Sequence, residues 1–269
     1  MARAQPGAAG TSKAVPVDAA AGAGDEVPAW RRRVVDRTLG MATRRSLDRG
    51  AALIFAAATL LERSNGDSFT VQDVADTAKL SLRSLYQHFD GKDDLLLAVL
   101  EEAMQTYAQL ILEAIEEYEN PLDRLAGAVY FAARLSERST RGISVGLTRL
   151  RMTLVEVAPE KLAAAQEPLT ALFSRLLREA ADAGEIQVPN PQATVYMLLA
   201  LHEAFVLSHT LGNEYALQLP SVTDLVEFCF HGLNARLPAA WEEQFAQRLK
   251  AIPRRLSVAD NFDVTRKTT

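Results

Sequence analysis

From about Ser46 onward, apolar residues return every three or four positions, and no sustained alternation of period two interrupts them. This constrains the fold more than any other feature. A 3.6-residue period gathers apolar side chains into stripes along helices, whereas strands need a period of two. Breakers cut the pattern into lengths: Asn65-Gly66-Asp67, Asn120-Pro121, Pro159, Gly184, Pro189, Pro191, Gly212 and Pro220. The expected fold is all-α.

The first helix is expected from Ser46 to about Arg63, with Leu53, Ala56, Ala57, Leu60 and Leu61 as its stripe. Two short helices open at Thr70 and Ser81, and a long one covers about Lys92 to Glu119. Further helices are expected near 121–137, 140–157, 160–183, 191–211 and 221–236, with a short last one at 239–250. The 221–236 segment repeats Val222, Leu225, Val226, Cys229, Phe230 and Leu233, the spacing of an amphipathic helix. Residues 1–28 are rich in Ala, Gly and Pro with few large apolar side chains, the composition of a disordered extension. Trp30 to Arg45 is read as a short helix broken near Gly40. The resulting division is 1–28 extension, 29–91 first domain with a basic arm, 92–250 helical body and 251–269 polar tail.

Charge is divided unevenly. The net charge is −5, yet residues 1–92 hold thirteen Lys/Arg against ten Asp/Glu, and residues 29–63 hold eight Arg against three acids. A basic end on an acidic body is expected when only that end meets phosphate. The single cysteine, Cys229, excludes an internal disulfide and a cysteine-based zinc cluster, and reads as core. No run of 18 uninterrupted apolar residues and no export pattern is present, so a cytoplasmic setting away from membranes is expected.

The stretch Phe69 to Phe89 carries the chemistry. Thr70 with Asp73 resembles a capping box, with Asp in place of Glu or Gln. Val71, Val74, Ala75 and Ala78 face one side of the helix that follows, and the small Ala75 lets a second helix cross closely. After a turn at Lys79-Leu80, Ser81 caps a helix that turns Leu82, Leu85 and Phe89 inward. Arg83, Ser84, Tyr86, Gln87 and His88 are expected outward. Arg and Gln suit base edges, while Ser, Tyr and His can donate to phosphates. Two short helices with a tight turn between them, the second polar, form a unit that fits a major groove.

These residues resemble the DNA-binding domain of the TetR family of repressors. The family's Thr-capped helix, Val-Ala pair, four-residue turn and Leu-Tyr-x-His-Phe run correspond to Thr70, Val74-Ala75, Ala78-Lys79-Leu80-Ser81 and Leu85-Tyr86-Gln87-His88-Phe89, with Lys92 opening the long helix. The turn departs from the pattern at Lys79, where Gly is usual; if this position needs a positive φ, Lys is strained there. The resemblance covers about residues 46–100. It implies an N-terminal three-helix helix-turn-helix domain and a C-terminal helical ligand-binding and dimerisation domain. It further implies phosphate contacts from Tyr86, His88 and Lys92, helix-terminus contacts from Thr70 and Ser81, and base contacts from Arg83, Ser84 and Gln87. Arg44, Arg45 and Arg49 would meet the flanking backbone, Lys79 would add a phosphate contact, and Arg31, Arg32 and Arg33 would either reach a neighbouring minor groove or belong to a solvated linker.

The implied function is a homodimeric regulator, a repressor released from a palindromic double-stranded operator by a small, mainly apolar effector. A constitutive DNA-binding factor with a fully packed body is the alternative, and an all-α enzyme is a third. Tyr107, Phe131, Met152, Phe173, Tyr196, His202 and Phe205 are the candidates to line an effector cavity. The helices at 191–211 and 221–236 would pair with their copies in the dimer. His202, Glu203, His209 and His231 lack tight metal-ligand spacing and read as pocket or packing residues, so no metal or cofactor is expected. Gly-x-Ser-x-Gly, a phosphate-binding Gly-rich loop and His-Glu-x-x-His are absent, and no catalytic residue is assigned. Glu101-Glu102 and Glu116-Glu117 are expected on solvated faces. Composition leaves greasy inducers, acyl thioesters and drug-like cations open as effectors.

Overall fold

The computed structural model describes residues 43–64, 69–138, 141–211, 219–237 and 239–251, and all regular structure in them is helical. Ten helices follow one another: α1 (Thr43–Arg63), α2 (Val71–Thr77), α3 (Leu82–Tyr86), α4 (Lys92–Ile115), α5 (Pro121–Arg138), α6 (Arg141–Val157), α7 (Pro159–Asp182), α8 (Pro191–Leu211), α9 (Val222–Gly232) and α10 (Trp241–Ala251). The sequence placed each of these, with ends that differ by a few residues. The readings for residues 1–40, including the extension and Arg31–Arg33, lie outside the described residues, as does the tail beyond 251.

Helix ends are set by local chemistry. Thr70 and Ser221 each accept the backbone N–H three residues on, while Asp73 and Asp224 reach back to the cap's own N–H. These are two complete capping boxes, and only the first was anticipated. Three helices then stop in the same way. Beyond α2, α7 and α9, Lys79, Gly184 and Asn234 take φ of 55°, 76° and 53°. The next N–H donates back into the helix: Leu80 to the Ala75 carbonyl, Glu185 to Ala180 and Ala235 to Phe230. A left-handed residue with this six-to-one bond is the Schellman stop, in which Gly is the least strained occupant.

α4 is the spine. Its 24 residues span about 36 Å, and it packs on α1 near its start and on α5, α6 and α7 along its length. By length and composition it is apolar enough to cross a bilayer, yet its apolar side chains are consumed in the core. The same crowding corrects the expectation for Glu101 and Glu102, which are buried rather than solvated. With partners on several sides, α4 has no free face there. Glu116 and Glu117 are exposed.

α10 was the least specified helix in the sequence and is firmly seated. Trp241 and Phe245 pack edge-on and tilted against Tyr118, Tyr130 and Phe131. The Arg248 guanidinium donates to the carbonyls of Glu113 (3.0 Å) and Ala114 (3.2 Å) and pairs with Glu117 at 2.9 Å. A cation therefore meets the exposed carbonyls at the end of α4, where the helix dipole favours it.

Candidate nucleic-acid interface and effector cavity

The first four helices build a small head around α3. Val74, Ala75, Leu85 and Phe89 are buried, with α2 packed on α1 and α3 packed on α2. The opposite edge of α3 is left to solvent: Arg83 and Gln87 are exposed, and Tyr86 retains 53% of its surface. A tyrosine this exposed beside an arginine and a glutamine is unusual for a helix that merely faces water, and offers both base-edge and phosphate donors. Arg45 and Arg49 on α1 and Lys79 in the turn are exposed too. The Arg44 side chain lies outside the described residues.

Three of the expected DNA contacts face the other way. His88 is 3% exposed. Its Nδ1 donates to the Ser84 carbonyl at 2.7 Å, and its Nε2 sits 3.2 Å from the Ser46 hydroxyl and carbonyl on α1. Ser84 is buried on the same side, because positions four apart on a helix share a face. Lys92 is committed internally: its ammonium donates to the Phe69 carbonyl at 2.6 Å and lies 4.5 Å above the Phe69 ring. His88 thus ties the end of α3 to α1, and Lys92 ties the start of α4 to the entry of α2. Spacing alone could not show this, since a histidine or lysine next to a DNA-facing residue fits either role.

Thr70 and Ser81 are exposed, but their hydroxyls serve the caps. Thr70 Oγ1 donates to Asp73 at 2.7 Å, and Ser81 Oγ accepts the Ser84 N–H at 3.1 Å. The Thr70 hydrogen bonds also hold the Asp73 carboxyl below the usual range.

The body holds a cavity of about 730 Å³ between α4, α5, α6, α7 and α8, within the range of small-molecule sites. Of the seven candidates, Tyr107, Met152, Tyr196 and His202 lie on its wall. Phe131, Phe173 and Phe205 do not. Phe131 belongs to the aromatic cluster under α10, Phe173 is buried in the core, and Phe205 stacks on His209 at 4.1 Å. Burial claims the phenylalanines, and the wall is left to tyrosine, aliphatic and polar residues. The polar part of the wall was mostly missed, namely Ser136, Thr148, Arg151 and Gln166, while Glu203 had been read as a pocket or packing residue.

Arg151 and Glu203 form an ion pair across α6 and α8. Burial pulls the Arg151 guanidinium down to about 10, which leaves it charged at neutral pH. His202 Nε2 is 3.4 Å from Ser136 Oγ, and burial, aided by the Arg151 charge, lowers the ring to about 4. The Ser136 hydroxyl is spent on the Ala132 carbonyl at 2.9 Å. A serine that gives its proton elsewhere, beside so weak a base, is not an activated nucleophile. Among the described residues no three His, Cys, Asp or Glu side chains converge as a metal site. Cys229 is buried, and burial pushes its thiol up to about 11.

Comparison with known proteins bears on the head first. The family model for bacterial regulatory proteins of the tetR family matches residues 53–99. The HTH-type transcriptional regulator HbdR of Aromatoleum sp. (strain CIB) is 35% identical over 83 residues, which cover 31% of this chain and 36% of HbdR. The chain therefore matches only about a third of that relative's length. Two solved structures extend the likeness to most of the helical body. RolR in complex with resorcinol superposes with a TM-score of 0.54 at 16% identity, covering 76% of this chain and 96% of RolR. FadR from Bacillus subtilis in complex with stearoyl-CoA gives 0.53 at 17% identity, covering 68% and 95%. At such identities the likeness is one of fold. The likeness to bacterial regulatory proteins of the tetR family thus lies in residues 53–99, the segment that carries the helix-turn-helix.

Proposed function

We propose that the chain is a homodimeric transcriptional regulator, a repressor that leaves a palindromic operator when a small, mainly apolar effector fills the cavity between α4 and α8. The observation that carries this reading is the solvent-facing edge of α3, where Arg83, Tyr86 and Gln87 stand clear of a fully packed underside. In this reading residues 29–91 hold DNA and residues 92–250 hold effector and partner. Arg83 and Gln87 read bases, and Tyr86, Lys79, Arg45 and Arg49 meet phosphates. The protein works in the cytoplasm and performs no catalysis.

Two further observations support the regulatory part. The cavity argues against a constitutive factor with a packed body, and both structural relatives named above hold a small organic ligand. The cavity wall is also continuous with the head. α4 runs from Lys92, which is bonded to Phe69, to the wall residue Ile111. α6 supplies the wall at Ile143, Leu147 and Arg151 and touches α1 where Gly146 receives Leu61; a Cβ at 146 would come within 2.5 Å of the Leu61 methyl. Effector binding would favour a form in which the two heads no longer match successive major grooves, which requires tighter binding to that form. For the dimer, α8 leaves Tyr196 and Met197 exposed and α9 leaves Phe228 exposed, an apolar face suited to a second copy.

The test is operator binding by fluorescence anisotropy at stated salt, on a site selected from random duplexes with the wild-type protein. Replacing Arg83 and Tyr86 together by Ala is expected to weaken binding by about 100-fold or more, since each contact of this kind carries roughly 1–3 kcal/mol. Unchanged affinity overturns the reading.

A further inference from the structure

We propose that the effector is uncharged, with an apolar body and one terminal head that both accepts and donates hydrogen bonds (a phenol, an alcohol or an amide), seated against Arg151, Glu203 and His202. This rests on the reading of the cavity as the effector site and names what that site selects.

Two of these groups, Arg151 and Glu203, cancel in charge, as their ion pair bridges α6 and α8 at the cavity wall. The third is neutral at physiological pH, because burial and the Arg151 charge hold the His202 ring near 4. The polar end of the cavity thus carries both signs of charge and no net charge. A carboxylate that approached Arg151 would meet Glu203, and a quaternary ammonium that approached Glu203 would meet Arg151. Either ion would also leave water for a wall that does not compensate it. A neutral head avoids both conflicts.

The site nevertheless asks for hydrogen bonds. Arg151 Nε is buried without an acceptor, although the Glu203 carboxylate holds the guanidinium through Nη2. A buried N–H in this state is costly until it is met, and a phenolic, hydroxyl or amide oxygen can meet it. The same head has a proton to give to Glu203. The remaining wall, with Met104, Ile111, Leu162, Leu169 and Val195, takes an apolar body. About 730 Å³ is far more than a single ring occupies, so that body extends beyond the head.

The experiment compares four probes of one tail length by calorimetry on the intact dimer, below their aggregation limits: 4-octylphenol, octylbenzene, nonanoate and octyltrimethylammonium. We expect 4-octylphenol to bind at least 10-fold more tightly than any of the other three. Glu203→Gln should shift the ratio of nonanoate to 4-octylphenol affinity by 10-fold or more towards nonanoate. Tighter binding of nonanoate or of the ammonium to the wild type overturns the proposal, and so does equal binding of octylbenzene, which would show that the head is not read. Binding of none of the probes overturns it as well. The wild-type ranking needs no variant to fold. Operator release is measured separately: if 4-octylphenol binds with the expected ranking but leaves the protein on DNA, the head-group assignment stands and the effector reading falls.

Discussion

The head and the body solve opposite problems with the same kind of helix. In the head, α2 and α3 have 7 and 5 residues, too short to hold themselves. Almost every polar group that could be mistaken for a DNA contact is instead engaged in holding them: Thr70 with Asp73, Ser81 with Ser84, His88 with Ser46 and Ser84, and Lys92 with Phe69. In the body, helices of 17 to 24 residues are secured by packing, and they enclose a cavity whose wall keeps a buried donor without an acceptor. The head is thus rigid around a fixed reading edge, and the body leaves room for change.

The sharpest way to break this contrast is at His88. His88→Ala removes a buried ring and its bonds to α1 and α3, so it should cost about 3 kcal/mol of stability, read by thermal or urea unfolding. Tyr86→Ala, on the exposed edge, should leave stability within about 0.5 kcal/mol while weakening DNA binding. If the two variants lose stability equally, the division between pinning and reading residues is wrong.

The body should respond to mild acid through His202. His202 titrates near 6.5 when unfolded and near 4 when folded. Between those values the unfolded chain binds a proton that the folded protein refuses, so stability must fall as pH drops from 6.5 towards 4 and level off below. The full loss is roughly 3 kcal/mol. Arg151, Ser136 and the Ala132 backbone face this ring. His202→Gln should remove this part of the acid sensitivity, as measured by unfolding at a series of pH values. An unaltered pH profile would place the ring in contact with water.

How much of this was legible follows from how local each signal is. The head could be read because caps, a turn and a helix edge are set within a few residues, as Thr70, Asp73, Ser81 and Tyr86 show. His88 and Lys92 misled because their partners, Ser46 and Phe69, lie 42 and 23 residues away. The cavity was harder still. Its polar end joins Ser136, Arg151, His202 and Glu203 from three helices, and no spacing along the chain encodes that meeting. The three phenylalanine candidates failed for one reason: size predicts burial well but does not say against which surface. Phe131 and Phe173 went to the core, while Met152 and Tyr196 stayed at the cavity.

Between head and body stands Gly146, where α6 meets Leu61 of α1. Gly146→Ala inserts a methyl within 2.5 Å of the Leu61 side chain, and Leu61 must turn or α1 must shift. The expected cost is about 1 kcal/mol or slightly more, together with a change in the effector concentration that releases the operator. Unchanged release would show that the signal travels through α4 alone.

The smallest effect is expected at Lys79, and it separates backbone from charge. Lys79 stands in the left-handed position that ends α2, as Gly184 does for α7, with the same six-to-one hydrogen bond behind it. Lysine is strained there and glycine is not, so Lys79→Gly should gain up to about 0.5–1 kcal/mol of stability. Lys79→Gln keeps the strain and removes only the charge. If the lysine is held for its charge, both variants should bind the operator more weakly, with a salt dependence reduced by about one phosphate contact. Only the glycine variant should unfold at higher temperature. Should both variants bind with the wild-type salt slope, Lys79 would be merely tolerated, and the contacts of the head would narrow to α3 and the arginines of α1.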